Sequence, residues 1–307
     1  MGVETSVPVA EVAKKRVPSR TCLAALALIS AASALPARAQ TPAAPSPDSR
    51  SPPTPGALQE RTSAAGCDRP LAVAGRVRSV IDGRTLVLED GREVRLAAIE
   101  VAPLAGAGEQ PPGGAGRAAQ RALSELALGR AVALSQDTGS ADRYGRTLAH
   151  AVVSQDQPER SLQQELLAQG HARLGARVEP AACLAELRAR ERHARQAALG
   201  LWADPYYSAQ AADRPADIAA RRGQFTVVEG DVVSVRESRG TTYINFGRRW
   251  SESFAAVILK RNAGALLAAG INPKLLQGRR VEVRGFVEMR GGPRMEVMRP
   301  EQLNVVR

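Results

Sequence analysis

Arg95 and Arg146 are the residues whose type and spacing best suit a chemical role, since both fall on predicted strands. A guanidinium group offers a phosphate two parallel charge-assisted hydrogen bonds and stays protonated at physiological pH. The pair therefore indicates a site that clamps a phosphodiester. Taken singly, each arginine has a plainer interpretation: Arg95 could pair with a neighbouring glutamate on the surface, and Arg146 could stabilise a turn with Asp142.

The elements that must position these arginines follow from the hydrophobic pattern. Alternating residues, turn pairs such as Asp90-Gly91 and helical spacing predict three strands, a helix, two strands and two helices. These elements fall at residues 73–79, 86–89, 93–99, 117–128, 131–134, 147–153, 161–168 and 180–198. This order predicts a small barrel with helices packed on it.

Several motifs in this region are collectively specific. They are Asp142-Arg143-Tyr144-Gly145-Arg146, Val80-Ile81-Asp82-Gly83-Arg84-Thr85, the strand Arg95-Leu96, and the run from Glu191 through Ala194-Arg195 to Gly200-Leu201-Trp202. Between Val73 and Trp202 the chain resembles the staphylococcal-nuclease (thermonuclease) family. The resemblance implies an α+β fold, mainly β with packed helices, in which an OB-type five-stranded barrel carries the site. Active members of that family are calcium-dependent phosphodiesterases that act on DNA and RNA.

The resemblance also assigns roles to single residues. Arg95 and Arg146 match the family's two phosphate-contacting arginines, and Asp82 matches the first Asp of its calcium-binding turn. Glu100 stands where a second carboxylate ligand, normally Asp, is found. The resemblance thus makes Arg95, Arg146 and Glu100 the candidate catalytic residues, with Asp82 and Glu100 as the residual metal ligands.

Two substitutions argue against calcium chemistry. Arg84 replaces the second Asp of the metal turn, and Pro103 stands where the family has the Glu that activates water. Calcium needs about 6–8 oxygen ligands, which a guanidinium cannot supply. We therefore expect no cofactor and predict a metal-free phosphate site formed by Arg84, Arg95 and Arg146; calcium is expected only if the protein is an active nuclease.

The second half of the chain predicts another barrel. Strands at 225–235, 241–246, 254–259, 278–287 and 293–298, with a helix at 263–269, follow the OB order. The segment resembles nucleic-acid-binding OB modules, chiefly through Tyr243-Ile244-Asn245-Phe246-Gly247 and Arg284-Gly285-Phe286-Val287. Basic and aromatic residues are the usual means of binding single strands, and the candidates here are Tyr243, Arg248, Arg249, Trp250 and Arg290. We expect Phe246, Phe254 and Phe286 to form the core of this barrel.

Composition bounds the organisation of the 307-residue chain, whose formal net charge is +11. A basic segment, an apolar run and Ala37-Arg38-Ala39 predict a signal peptide over residues 1–39, and hence export to the periplasm or exterior of a bacterial cell. Residues 40–66 are Pro- and Ala-rich and predict a disordered tether. The predicted domains are 67–203, thermonuclease-like, and 223–307, OB-like, joined by a linker at 204–222. We expect no membrane span in the mature chain.

The cysteine count and the charge distribution give two further expectations. In an oxidising compartment Cys67 and Cys183 would most simply form a disulfide, although two unrelated free thiols are the alternative. Residues 221–307 hold sixteen basic and eight acidic side chains, which favours a polyanionic partner for this part of the chain.

These observations favour an exported protein that binds single-stranded nucleic acid or another phosphate polymer with weak or no hydrolysis. One alternative is an active, secreted, calcium-dependent nuclease. The other is a periplasmic protein–protein or envelope adaptor that keeps the fold and has lost nucleic acid. Nothing in the sequence indicates the oligomeric state.

Overall fold

Strands and short helices alternate along the part of the chain that positions the two arginines. The computed structural model describes residues 61–63, 69–104, 114–154, 159–179 and 181–306. The strands of the first half are β1 Arg61–Ser63, β2 Arg69–Asp82, β3 Thr85–Leu88, β4 Glu93–Leu96, β5 Ile99–Glu100, β6 Ala131–Ala141, β7 Thr147–Val153, β8 Arg160–Ser161 and β9 Arg173–Leu174. Its helices are α1 Ala115–Ala127, α2 Leu162–Ala168 and α3 Cys183–Gln196.

Five of these strands close into a barrel. The hydrogen-bonded order is β2-β3-β4-β7-β6, and β6 pairs again with β2. The β4–β7 pairing is parallel, while the other four are antiparallel. Leucine and valine side chains from the strands fill the interior, and α1 covers one side of this core with Leu123 and Leu126. The predicted α+β fold with an OB-type barrel is therefore confirmed.

The second half repeats the same strand order with bent strands. Its elements are β10 Gln210–Ala211, α4 Pro215–Ala219, β11 Phe225–Asp231, β12 Ser234–Ser238, β13 Thr241–Asn245, β14 Ala255–Leu259, α5 Lys260–Ala268, β15 Arg280–Phe286, β16 Glu288–Met289, β17 Pro293–Glu296 and β18 Leu303–Val305. One sheet runs β10-β11-β15-β18 and the other β12-β13-β14-β17-β16. We count β11 with β12 as one bent strand, and β15 with β16 as another. The strand order is then that of the first barrel. The third and fifth strands, β14 and β17, pair in parallel as they do there. The helix between the third and fourth strands, α5, takes the place that α1 has in the first barrel.

The predicted core of this second half is correct in two of its three aromatic residues. Phe246 and Phe254 are buried and pack against each other, with ring centroids 5.2 Å apart. Phe286, however, is 53% exposed, so its assignment to the core is wrong. On β15 it has the same parity as Glu282 and Arg284, which point away from the interior that Val281 and Val283 fill.

The two halves are joined by a buried junction within one compact unit. Ala194 and Trp202 from the first half pack against Phe225 and Val227 from the second. Arg284, 2% exposed, donates to the carbonyl oxygen of Leu174 at 2.9 Å. The predicted domain limits remain a prediction, because a contact division of the described residues does not separate the halves.

Several predictions fall on residues outside the described ranges. The signal peptide, most of the tether and Cys67 lie there, so the export and the disulfide remain predictions. Cys183 itself is buried at the start of α3, with its Sγ 3.9 Å from Nε2 of His150. Among the described residues, no helix combines the length and the apolar character needed to cross a bilayer.

Candidate phosphate-binding cleft

A tight turn between β2 and β3 carries the first arginine of the site. The Asp82 carboxylate accepts a hydrogen bond from the backbone N–H of Arg84 at 2.8 Å, which fixes the turn. Gly83 lies so close to α1 that a Cβ there would be 2.5 Å from Cβ of Ala119. Any larger residue would push the turn off the helix, so Gly83 sets the position of Arg84.

The Arg84 guanidinium is already engaged within the protein. Its Nη1 donates to the carbonyl oxygen of Ile99 at 2.8 Å and lies 2.7 Å from Oε2 of Glu100. Both side chains are largely buried, at 16% and 19% exposure. This ion pair joins the β2–β3 turn to β5.

Arg146 is held by the acidic residue of its own motif. Its Nε and Nη2 both lie 2.7 Å from Oδ2 of Asp142, and Oδ1 of Asp142 accepts from the backbone N–H of Tyr144 and of Arg146. Burial opposes ionisation of Asp142, but these hydrogen bonds outweigh it and lower the pKa of the carboxyl. Arg146 therefore stabilises its turn through Asp142, as the plainer interpretation of the sequence predicted.

Tyr144 lies at the tip of this turn with its ring open to solvent. It is 67% exposed, and the guanidinium carbons of Arg143 and Arg146 each lie 5.0 Å from the ring centroid. This exposure argues against a packing role for Tyr144. An exposed ring flanked by two cations is a surface on which a base could stack.

Arg95 differs from both neighbours, because its side chain has no hydrogen-bond or ion-pair partner among the described residues. It lies on β4 opposite Thr85 of β3 and Leu148 of β7, and is half-buried. Burial lowers the pKa of Arg95, and the nearby positive charges of Arg84 and Arg146 lower it further. The carboxylates of Glu100 and Asp82 offset part of this effect but neither pairs with the Arg95 guanidinium, so an anion placed against it would gain a charge-assisted hydrogen bond.

Arg95 opens into a cleft of about 320 Å³ whose other charges are paired. Arg84 with Glu100 forms part of the wall, and so does Arg177, whose Nη2 lies 2.8 Å from Oε2 of Glu179. Ser135 also lines the cleft, and its buried hydroxyl has no hydrogen-bond partner among the described residues. The cleft therefore offers one unpaired cation and one unpaired hydroxyl to an incoming anion.

The donor set does not fit a calcium ion. Glu100 is paired with Arg84, Asp82 accepts from the backbone of its turn, and the Arg84 guanidinium, 2.7 Å from Glu100, would repel a cation placed there. Within the described ranges, no three His, Cys, Asp or Glu side chains are grouped closely enough to hold a metal. Pro103, at the predicted position of the base, has no side chain that could take a proton.

The closed five-stranded barrel is that of an OB-type domain, and Arg95 lies on its strand β4. Residues 93–204 match the family described as staphylococcal nuclease homologues. The chain thus contains a staphylococcal-nuclease-like domain, as the motifs predicted. The match includes Arg95, Glu100 and Arg146 but begins after the Asp82–Arg84 turn and ends before the second half. No curated protein matches the chain.

The residues predicted to bind nucleic acid in the second half lie apart from this cleft. Arg248, Arg249, Trp250 and Arg290 are exposed, and Tyr243 is half-buried. Trp250 lies near the turn that follows Arg290, since a Cβ on Gly291 would be 3.4 Å from its ring. Arg249 is paired with Glu252 at 3.1 Å. Their role in binding remains a prediction.

Sequence reasoning missed the residues from the second half that reach the first. Phe286 lines the cleft beside Arg95, and a neighbouring cleft includes Arg221 and Arg222 from the predicted linker. One feature of the sequence indicated that Phe286 lies outside the core: it is an even number of residues from Glu282 and Arg284, so all three lie on the same face of the strand. That parity separates it from Val281 and Val283.

Proposed function

We propose that this protein is an exported nucleic-acid-binding protein that uses its staphylococcal-nuclease-like domain to hold a phosphodiester, with weak or no hydrolysis. The observation that carries the proposal is the unpaired, half-buried guanidinium of Arg95, which opens into a cleft of suitable size. Leaving such a cation without a partner costs stability, which an anionic ligand would restore.

The chemistry of the cleft favours binding over cleavage. A fixed arginine stabilises the charge of a phosphate, but it cannot acidify a water molecule as a bound metal does. Loss of a general base alone typically costs roughly 10²–10⁴ in rate. With Arg84 at the metal turn and Pro103 at the base position, both contributions are missing from the described residues.

The test is the affinity of the full-length protein for a fluorescently labelled single-stranded oligonucleotide, measured by anisotropy in EDTA. A charge-assisted hydrogen bond contributes about 1.5–3 kcal/mol, so we expect Arg95→Gln to weaken binding by at least about tenfold. The control is Arg192→Gln on α3, an exposed arginine that lines neither cleft. We expect it to change affinity by less than about twofold.

Three outcomes discriminate among the alternatives. Equal affinity for the Arg95→Gln variant and the unmodified protein would contradict the proposal. Binding of labelled inorganic polyphosphate without measurable oligonucleotide binding would replace nucleic acid with another polyanion. Absence of binding to either polymer would favour the adaptor alternative.

A further inference from the structure

A second cleft of about 580 Å³ adjoins the first. The Arg84–Glu100 ion pair and Phe286 line both clefts, so the two share a wall. The rest of the second cleft comes from β9, from the start of β11 and from the connecting segment between the barrels. Its lining there includes Arg173, Tyr206, Tyr207, Arg221, Arg222 and Phe225.

The charge balance of this second cleft is strongly positive. Four arginines line it, against the single carboxylate of Glu100, which is already paired with Arg84. Arg222 is exposed and has no ion pair or side-chain hydrogen bond among the described residues. Arg173 is buried and its Nη2 donates to the carbonyl oxygen of Phe225 at 2.9 Å, so Arg221 and Arg222 are the arginines that this cleft offers to an anion.

The connecting segment holds Arg221 in a fixed position. Its Nη1 donates to the carbonyl oxygen of Tyr206 at 2.5 Å, and its guanidinium carbon lies 4.4 Å from the centroid of the Tyr206 ring. The Tyr206 hydroxyl in turn donates to Oε1 of Gln224 at 2.6 Å. The buried Nε of Arg221 has no hydrogen-bond partner within the described part of the chain. A preorganised cation loses little conformational entropy when it binds an anion.

Phe286 supplies an aromatic surface between the two clefts. The edge of one ring meets the face of the other in its contact with Phe225, with centroids 5.7 Å apart at an interplanar angle of 75°. More than half of its surface remains exposed. Exposed phenylalanine costs solvation free energy, which stacking against a flat ligand would recover.

We propose that the second cleft binds the nucleotide adjacent to the phosphate held by Arg95, with its base stacked on Phe286 and its phosphate at Arg221 and Arg222. This inference rests on the proposed function and adds the second barrel and the connecting segment to the binding site. The combination of an aromatic face with surplus cations is how proteins bind single strands without sequence preference. An acidic peptide would use the arginines but would gain little from Phe286.

The stacking contact is tested with Phe286→Ala and Phe286→Tyr in the full-length protein. Base stacking on an aromatic ring accounts for about a 5- to 150-fold difference in affinity. We therefore expect Phe286→Ala to weaken binding of a labelled ten-nucleotide single strand by that factor, and Phe286→Tyr to retain affinity. The matched control is Leu275→Ala, which removes an exposed apolar side chain that lines neither cleft.

The phosphate contact is tested by salt dependence. For single strands, each neutralised phosphate adds about 0.7 to the slope of log K against log salt concentration. Arg222→Gln should make that slope shallower by about this amount, whereas Phe286→Ala should leave it unchanged. Arg192→Gln, outside the clefts, should leave both affinity and slope unchanged.

The outcomes separate this inference from the proposed function. If Arg95→Gln weakens binding while Phe286→Ala and Arg222→Gln leave it unchanged, the proposal that the second cleft binds a nucleotide is overturned. The proposed phosphate site at Arg95 is then still supported. If Arg222→Gln alters the salt slope but Phe286→Ala changes nothing, the cleft binds a polyanion without stacking, and the assignment of a nucleotide is overturned. If the unmodified protein does not bind the oligonucleotide, both are overturned.

Discussion

Three arginines of the first barrel have different partners, and this difference determines what the cleft can do. Arg84 is engaged by Glu100 and Arg146 by Asp142, so each already has a neutralising carboxylate. Arg95 has none among the described residues, and the other two arginines oppose its charge. Residue type alone makes the three equivalent, but their pairing distinguishes them: Arg95 is the one we propose binds the ligand, whereas Arg84 is held by Glu100 and Arg146 by Asp142.

The lowered pKa of Glu282 predicts how the free energy of unfolding depends on pH. Burial raises the pKa of its carboxyl, but the positive charges of Arg284 and Arg195 outweigh this effect and lower the pKa from 4.5 to about 2. A carboxyl with a lowered folded-state pKa stabilises the protein above its unfolded pKa, and this contribution disappears as the pH falls through the folded value. We expect the free energy of unfolding to decrease between about pH 5 and pH 2.

Urea unfolding at a series of pH values measures this dependence. The Glu282→Gln variant is less stable at neutral pH, but it should lose less stability on acidification because the group that must be protonated is absent. Parallel pH profiles for the two proteins would show that Glu282 does not contribute to the acid sensitivity.

At the scale of elements, α3 and β15 are joined by a buried ion pair. Arg284 of β15 contacts both carboxylate oxygens of Glu191 on α3, at 2.9 and 3.2 Å, and also pairs with Glu282. Glu191 additionally accepts from the backbone N–H of Leu174 at 2.7 Å. A motif residue of the first half therefore serves as the attachment point for the second.

We predict that Glu191→Ala destabilises the protein by about 3–5 kcal/mol, because it removes one of the two carboxylates of the buried Arg284 and leaves the backbone N–H of Leu174 without its acceptor. The matched control is Glu186→Ala on the same helix, which breaks only an exposed pair with Arg190 and should cost less than about 1 kcal/mol. Urea unfolding followed by tryptophan fluorescence gives both values. Similar losses for the two variants would contradict a central role for the buried pair.

At the scale of the whole molecule, the contacts across the junction argue against two independently working modules. Glu191, Leu174 and Trp202 of the first half all contact residues that belong to the second. A fragment cut at the predicted linker would expose Arg284 and would lose the cleft that Phe286 forms with Arg84. The positively charged residues 221–307 are therefore packed against the first barrel and do not form a separate module.

The barrel and its arginine site could be predicted from the sequence because both depend on local patterns. Alternation with a period of two locates the strands, and Arg95 on β4 lies near Arg146 because Arg146 directly precedes β7, which pairs with β4. The burial of Phe246 and Phe254 followed from the same alternation. These features need no knowledge of how the two halves pack.

The contribution of the second half to the cleft could not be predicted in this way. Phe286 is an apolar residue at the end of a strand, for which the barrel core is the ordinary location. It lies instead on the strand face that carries Arg284, and only the packing of β15 against α3 shows what that face contacts. The pairing of Arg84 with Glu100 likewise depends on how closely the β2–β3 turn approaches β5.

The most direct test of the central claim mixes the full-length protein with a labelled single-stranded oligonucleotide and compares three conditions: EDTA, Ca²⁺ and Mn²⁺. Binding and cleavage are followed in the same samples. Because arginines rather than a metal hold the phosphate in this account, we predict equal affinity in all three conditions and no cleavage, or only very slow cleavage. Robust calcium-dependent cleavage that is abolished by Glu100→Ala would contradict it.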